Sequence, residues 1–217
     1  MTKELNSVAS HSSGEQPGVI IVGAGTYGKV TLDILRLMGK RIIGFLDDNK
    51  NGETFFDLPV LGECGDYKRF PDAAFVVTLG DLYIRERVVK MMQGASWFTP
   101  IHPQTTISTL GVKIGDGSVV MAGAIVNPDA KIGRHCAINT NSVIEHDNVI
   151  GDFSHISVGA QLAGRVTVGS RVWVGIGATV INDVSICDDC VIGAGAVVVR
   201  NITEPGVYVG VPARRIK

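Results

Sequence analysis

The sequence predicts two parts of different construction: a small α/β unit with a parallel sheet, followed by a parallel β-helix that takes up the rest of the chain. Three observations carry this. A strand, a glycine turn, a helix and a second strand can be read off in order from Gly18. Large aliphatic residues recur at every sixth position from Ile114 to Val198. The aromatic residues are unevenly placed, ten before residue 107 and three after it, so the two halves fill their cores differently.

Taken in order, residues 1–17 (MTKELNSVASHSSGEQP) are polar and serine-rich with no apolar period. Such a stretch cannot offset its own ordering entropy and is expected to be a mobile tail. GVIIVGAGTYGKVTLDILRLMGKRIIGFLDDN then supplies an apolar strand, a glycine turn, an amphipathic helix with Val30, Ile34, Leu35 and Met38 inward, and a strand at 42–46. A short strand is expected at 59–61, a buried strand in FVVTLG from Phe75, a helix over 83–93 and a last strand at 97–99. This alternation gives a small Rossmann-like βαβ sheet, and a domain is expected over 18–100.

The second domain is expected over 101–217, with a period of six as far as Val198 and a C-terminal tail beyond it. All fifteen residues met in steps of six from Ile114 to Val198 are Ile, Leu or Val, and the position four after each, from Ser118 to Ala196, is small or modest in size almost throughout. At a frequency of roughly one in four for these residues, chance would give that run on the order of once in 10⁹. Six fits neither a helix nor one long strand. It fits a chain that makes a short strand, turns and repeats, three hexapeptides closing one triangular coil of about 18 residues. Glycine, Asn and Asp are expected at the corners, where φ is unusual. Ile101 and Ile107 begin the series, with a one-residue slip before Ile114.

Charge and cysteine content exclude several classes of function. Twenty basic against 21 acidic residues leave a net charge of −1, too little positive field to expect a nucleic-acid partner. No apolar run suits a membrane span or a secretory leader, so a soluble cytoplasmic protein without membrane insertion is expected. Four scattered cysteines do not make a disulfide framework, and the chain is long enough not to need one. Cys187 and Cys190 form a C-x-x-C, but a second ligand pair is missing and no metal is expected. Cys136 and Cys190 share the small inward position, three coils apart. His11 lies in the tail, His102 at the domain junction, and His135 at a turn where a solvated imidazole is the ordinary expectation.

GAGTYGKV at 23–30, GFLDDN at 44–49, LGD at 79–81 with Arg85, NTNSVIEHDNVIGDFSHISVGAQLAG at 139–164 and the ending GVYVGVPARRIK resemble one family. It is that of the bacterial hexapeptide-repeat acetyltransferases acting on nucleotide-linked amino sugars, relatives of the sialic acid O-acetyltransferases. The resemblance covers residues 18–217 and is most specific over 139–164. It implies a left-handed β-helix and a homotrimer with acetyl-CoA bound along the coils between neighbouring subunits. It also implies an N-terminal domain holding a nucleotide-diphospho-amino-sugar. The implied reaction is N-acetylation of a 4-amino-4,6-dideoxy sugar for surface glycan synthesis.

Transfer of acetyl from a thioester to an amine needs a neutral nitrogen, a base for its proton and donors for the developing oxyanion. His146, with Glu145 and Asp147 on either side, has a carboxylate available to orient its ring. By resemblance His146 is the general base, supported by Asp147 and by the upstream Asn139. His155, half a coil on, faces another side of the prism and is implied to lie near the thioester or pantetheine of acetyl-CoA. Gly164, one coil after His146, is expected to let the cofactor approach the backbone, its N–H or that of Ala194 holding the carbonyl. Arg214, in G-V-P-A-R, is expected to meet the coenzyme phosphates.

Gly23, Gly25 and Gly28 spell G-x-G-x-x-G between a strand and a helix, with Asp47 about twenty residues on. The short domain and the absence of a separate hydride-transfer domain argue against NAD. A helix N-terminus with free N–H groups binds any diphosphate. Gly25, Thr26 and Tyr27 are therefore assigned to the diphosphate and sugar, Asp47 and Asp48 to the base or ribose, and Gly80, Asp81 and Arg85 to the same ligand. The alternatives are a sugar O-acetyltransferase of the sialic acid type, an NAD-sensing scaffold and a γ-type carbonic anhydrase. For the last, the required H-x-x-x-x-H pair is missing.

Overall fold

The computed structural model describes residues 17–217, so nearly all of the expected tail, His11 included, lies outside the described residues. The first part is a four-stranded parallel sheet. Its strands are β1 (Val19–Val22), β2 (Ile42–Leu46), β5 (Ala74–Val77) and β6 (Ser96–Trp97), in the order β2-β1-β5-β6. VIIV and FVV are buried on both faces of the sheet, which is why they read as unbroken apolar runs. Helix α1 (Thr26–Leu37) closes on the sheet through Gly28, Thr31, Leu32, Ile34 and Leu35. Val30, expected inward, lies at the margin of that stripe and is 39% exposed. The segment expected as a strand at 59–61 belongs instead to a hairpin of β3 (Thr54–Phe55) and β4 (Leu58–Pro59), with Val60 bridging Phe45 of β2. Helix α2 (Leu82–Met91) begins at Asp81, whose Oδ1 accepts the N–H groups of Tyr83 and Ile84 at 3.0 and 2.9 Å.

The second part is a parallel β-helix with three faces, each a ladder of short strands paired 18 residues apart, save the first pair of the second face, Thr106 with Ile125, which is 19 apart. The first face runs through Val119–Val120, Ala137–Ile138, His155–Ile156 and Trp173–Val174 to Cys190–Ile192. The second runs from Thr106–Ile107 to Val197–Val198, and the third from Lys113–Ile114 to Ser185–Ile186. The aliphatics of the six-residue period fill the interior, with Ile138, Ile144 and Ile156 wholly buried. Each contributes about 2 kcal/mol of apolar burial. Cys136 and Cys190 sit in this same core.

Every sixth residue from Gly111 to Gly195 turns a corner with φ between 53° and 72°. Glycine, Asn and Asp occupy eleven of these positions; His135, Phe153, Arg165 and Arg171 occupy the others. Left-handed backbone costs a residue with a side chain about 1 kcal/mol, so those four call for a reason. The corner between the third and first faces provides one for His135, Phe153 and Arg171, because it seats the N-terminal domain along the β-helix axis; Arg165 stands at the corner between the second and third faces, paired with Asp183. Gly117 N–H donates to Thr99 Oγ1 at 3.1 Å, and the His135 ring stands edge-on to Trp97 at 4.6 Å. Arg85 donates to Phe153 O, Arg171 approaches Glu86 at 3.7 Å, and Tyr83 Oη donates to Asp189 Oδ1 at 3.1 Å. Val119 and Met121 complete the seam by joining the core of the N-terminal domain.

Candidate active site

Three regions hold the residues selected from the sequence. The first is the corner between the second and third faces. His146 follows strand Val143–Ile144, and its Nδ1 lies 2.8 Å from Asp147 Oδ2. A carboxylate only accepts, so Nδ1 carries a proton, and in the neutral ring the lone pair lies on Nε2. The backbone beneath is fixed from the other side: His146 N–H donates to Glu145 Oε2 at 3.2 Å, and Asn127 Nδ2 donates to Glu145 Oε1 at 2.9 Å. Of the two flanking carboxylates it is Asp147 that meets the ring, while Glu145 holds the backbone; Asn127 is not among the residues the sequence points to, although its spacing of one coil from Glu145 is a usable signal.

Gly164 corrects one expectation. A methyl group at Gly164 would stand 2.5 Å from His146 Nε2 and 2.6 Å from Cε1. The space left by the missing side chain is filled by the imidazole of the coil below, not held open for a cofactor. Beside it, Arg165 and Asp183 form a bidentate pair at 2.6 and 2.9 Å.

The second region is a groove of about 560 Å³ along the first face, with Asn139, His155, Trp173, Ile176 and Ala194 among its lining residues. The rings of His155 and Trp173 stack in parallel, with centroids 4.8 Å apart. Asn139 Nδ2 lies 3.2 Å from His155 Nε2, while its Oδ1 accepts Thr140 N–H at 2.7 Å, which fixes the amide orientation. Asn139 therefore serves His155 and not His146, contrary to the sequence expectation. The reason is geometric: seven residues separate different edges of the prism, whereas 16 residues bring neighbouring coils together. Burial, and secondarily the charge of Arg85, hold the His155 imidazole down at about 4, so the ring is neutral at pH 7 and accepts at Nε2. Corner residues Gly159, Gly177 and Gly195 have open space on their side-chain side. The N–H of exposed Ala194 donates to nothing within the described residues. Arg214 lies at the exposed C-terminal strand pair, its Nη1 turned back to Ala213 O at 2.9 Å.

The third region is the glycine turn after β1. Gly23 has φ of 108°, and a side chain on Gly28 would collide with Gly23 O, so both are glycines for the chain's own packing. Gly25 has nothing within 4 Å on its side-chain side and, with Thr26, is exposed at the start of α1. Tyr27 instead packs inward, and burial pushes its phenol up to about 12. Asp47 is engaged by the chain: Oδ2 accepts Ala24 N–H at 2.8 Å and Oδ1 accepts Asn49 N–H at 2.9 Å. Asp48 Oδ1 accepts Cys64 N–H at 2.7 Å, capping the 3₁₀ turn Cys64–Arg69. Lys50, which was not selected from the sequence, donates from Nζ to Ala24 O at 2.7 Å and so places a cation beside Gly25. Gly80 stands open, Asp81 caps α2, and Arg85 is buried.

His135 is not solvated as expected. It is 2% exposed, stacked on Phe153 at 5.4 Å, with neither ring nitrogen hydrogen-bonded, and burial lowers it to about 4. Among the described residues no group of three or more His, Cys, Asp or Glu is placed to hold a metal ion, and no helix is long and apolar enough to cross a membrane. Cys187 and Cys190 stand with sulfurs 3.6 Å apart and no third ligand.

A β-helix with a six-residue period, an apolar groove on one face and a carboxylate-oriented histidine at a corner defines a transferase of the hexapeptide-repeat class. The bacterial transferase hexapeptide model matches residues 111–146 and 165–200, and the PglD N-terminal domain model matches residues 18–92. A perosamine N-acetyltransferase from Caulobacter crescentus, solved with CoA and GDP-perosamine, is 33–34% identical over 95% of this chain and 100% of its own, with TM-scores of 0.87–0.88. That protein has also been solved with alanine or asparagine replacing one histidine. The acetyltransferase domain of PglB from Neisseria gonorrhoeae, solved with acetyl coenzyme A, is 30% identical over 93% of this chain and 100% of its own, with a TM-score of 0.88. A curated relative, the uncharacterized protein L142 of Acanthamoeba polyphaga mimivirus, is 33% identical over 114 residues; the match spans 52% of this chain and 23% of that protein's length. The chain belongs to the family of hexapeptide-repeat N-acetyltransferases of nucleotide-linked amino sugars.

Proposed function

We propose that this protein transfers acetyl from acetyl-CoA to the 4-amino group of a nucleotide-linked 4-amino-4,6-dideoxy sugar, with His146 as general base. The observation that carries the reading is the His146 Nδ1 to Asp147 contact of 2.8 Å, which leaves Nε2 free at a corner open to solvent. The similar enzyme solved with GDP-perosamine gives the chemical class of acceptor.

Acetyl-CoA supplies an acetyl group activated as a thioester. The groove suits its pantetheine arm, with Trp173 and Ile176 as apolar walls and glycine corners that leave the backbone open. The free N–H of Ala194 is the better placed of the two proposed carbonyl donors, since Gly164 is covered by the His146 ring. His146 Nε2 accepts the proton the amine loses as nitrogen attacks, and Asp147 steadies the imidazolium that results. In the N-terminal domain, the exposed start of α1 at Gly25 and Thr26 and the Lys50 ammonium bind the diphosphate. Asp47 and Asp48 shape that loop through their backbone bonds and offer only their remaining lone pairs to the ribose or base. Arg214 meets the coenzyme phosphates.

The working unit is a homotrimer. Within one chain, His146 and the groove occupy different edges of the prism, and a second copy brings the groove of one against the histidine of the other. Exposed apolar side chains on the β-helix, including Val149 and Ile176, suit that contact. Light scattering that returned the 23.0 kDa monomer at micromolar concentration would remove the trimer. The setting is cytoplasmic surface-glycan synthesis. The deciding experiment is acetyl transfer from acetyl-CoA to a panel of nucleotide-4-amino-sugars, followed by release of the coenzyme thiol and the mass of the acetamido product. Thiol release without acetylated sugar, or acetylation confined to sugar hydroxyls, overturns the reading.

A further inference from the structure

Arg85 is the largest fully buried side chain among the described residues, 1% exposed, and its surroundings are unusual for an arginine. Arg69, Arg165, Arg171 and Arg215 each face a carboxylate. Arg85 faces none among the described residues. Its Nη1 donates to Leu79 O at 3.0 Å, its Nη2 donates to Phe153 O at 2.6 Å, and its Nε is buried with no partner. A guanidinium keeps its proton, and burying one without a carboxylate is costly, so the site does not serve stability best. With both Nη groups engaged and almost no exposed surface, it also has no face left for the phosphate or sugar to which the sequence assigned it.

The two carbonyls lie on the two sides of the chemistry. Leu79 follows β5 and opens the loop Gly80–Asp81 at the same sheet end as the glycine turn. Phe153 is a left-handed corner residue, φ 62°, two residues before His155 in the same coil. We propose that Arg85 is a positioning residue for acetyl transfer, locking the coil that carries His155 to the nucleotide-sugar domain. A planar fork suits that task, because it reaches two carbonyls in fixed relative directions, which an ammonium cannot do. Its charge also helps hold both His155 and His135 in the neutral form.

The inference rests on the acetyl-transfer reading, and its test has one arm that does not. Arg85→Lys, which keeps the charge but reaches one carbonyl, is expected to lower kcat about tenfold with the nucleotide-sugar KM within about twofold; Arg85→Gln is expected to lose more. Tyr83→Phe and Glu86→Gln cut other ties of the same seam without touching Phe153 and are expected to stay within about twofold of wild type. Independently of turnover, coenzyme A is titrated against tryptophan emission, since Trp173 lines the groove: Arg85→Lys weakens the coenzyme's binding and Tyr83→Phe does not. If Arg85→Gln does not fold, Arg85→Lys decides. A raised nucleotide-sugar KM with unchanged kcat makes Arg85 a substrate ligand and overturns the proposal. So does an equal loss in Tyr83→Phe, or unchanged coenzyme binding in Arg85→Lys. Inactive wild type that still shows the difference in coenzyme binding overturns the acetyl-transfer reading, and with it the catalytic part of the proposal, while the tie from Arg85 to the groove stands.

Discussion

Two corners of the β-helix have the same backbone and opposite surroundings. At Gly117, His135, Phe153, Arg171 and Asp189 the N-terminal domain lies against the turn, and the side chains there are stacked or hydrogen-bonded across the seam. At Gly111, Asp129, Asp147, Arg165 and Asp183 the turn faces outward, and its side chains are short acids, a glycine and one paired arginine. The six-residue period sets φ at both. What lies outside the turn sets which residue occupies it. An aromatic ring in left-handed backbone therefore marks a docking edge, and a histidine with its own carboxylate on an outward edge marks chemistry.

The largest effect expected on the outward edge is His146→Ala. Loss of a positioned proton acceptor lowers kcat by about 10² to 10⁴ with little change in either KM. Activity recovers in part as pH rises and more of the amine is already neutral. A variant keeping more than about a tenth of wild-type kcat at pH 7 would falsify the base assignment and leave bound geometry to explain the rate.

The docking edge answers to pH in stability instead. In the unfolded chain the His135 imidazole takes its proton near 6.5; in the fold it is held down to about 4. Between those values the unfolded chain binds a proton that the folded chain does not. Stability is therefore fully present above about pH 6.5 and falls as pH drops towards 4, by about 3 kcal/mol for this one buried group. His155 adds a fall in the same window. His135→Asn, whose side chain accepts left-handed backbone, is expected to melt lower than wild type at pH 7.5 and to lose less on going to pH 4.5. Parallel melting curves for the two proteins across that window contradict the seam described here.

Between these lies Gly164→Ala. The new methyl pushes the ring of His146 off its seat, and because that ring is 43% exposed at its side chain it has room to swing. The fold is barely affected, and kcat falls about tenfold. Unchanged kcat with a raised acetyl-CoA KM restores Gly164 to the cofactor.

The interior of the β-helix was legible because its signal is local: Ile, Leu and Val every six residues and small residues between them. The glycine turn and His146 with Asp147 were legible for the same reason. What escaped were contacts between coils and between domains. Asn139 reads as a neighbour of His146 along the chain, yet it bonds to His155 one coil away. Arg85 reads as a ligand of the nucleotide sugar, yet its partners are two carbonyls of the protein, one of them 68 residues on. His135 reads as a solvated turn because Trp97 is not visible from residue 135. An arithmetic of 18 places coils on one another, but nothing in the period says which corner the N-terminal domain covers.

The smallest expected effect tests the comparison most directly, because it makes one change at both edges. Arg165→Gly relieves left-handed backbone, φ 60°, and removes an ion pair whose side chains are more than half exposed. Exposed pairs contribute little and are screened by salt, so Tm should stay within about 2 °C of wild type. His135→Gly relieves the same backbone strain, yet it also removes a ring packed between Trp97 and Phe153, and its Tm should drop by several degrees. The sign of the backbone effect is the same in both variants, so a difference between them measures what the neighbouring domain contributes. Equal shifts in the two variants would mean that corner geometry alone governs these residues and that the N-terminal domain rests on the β-helix without depending on them.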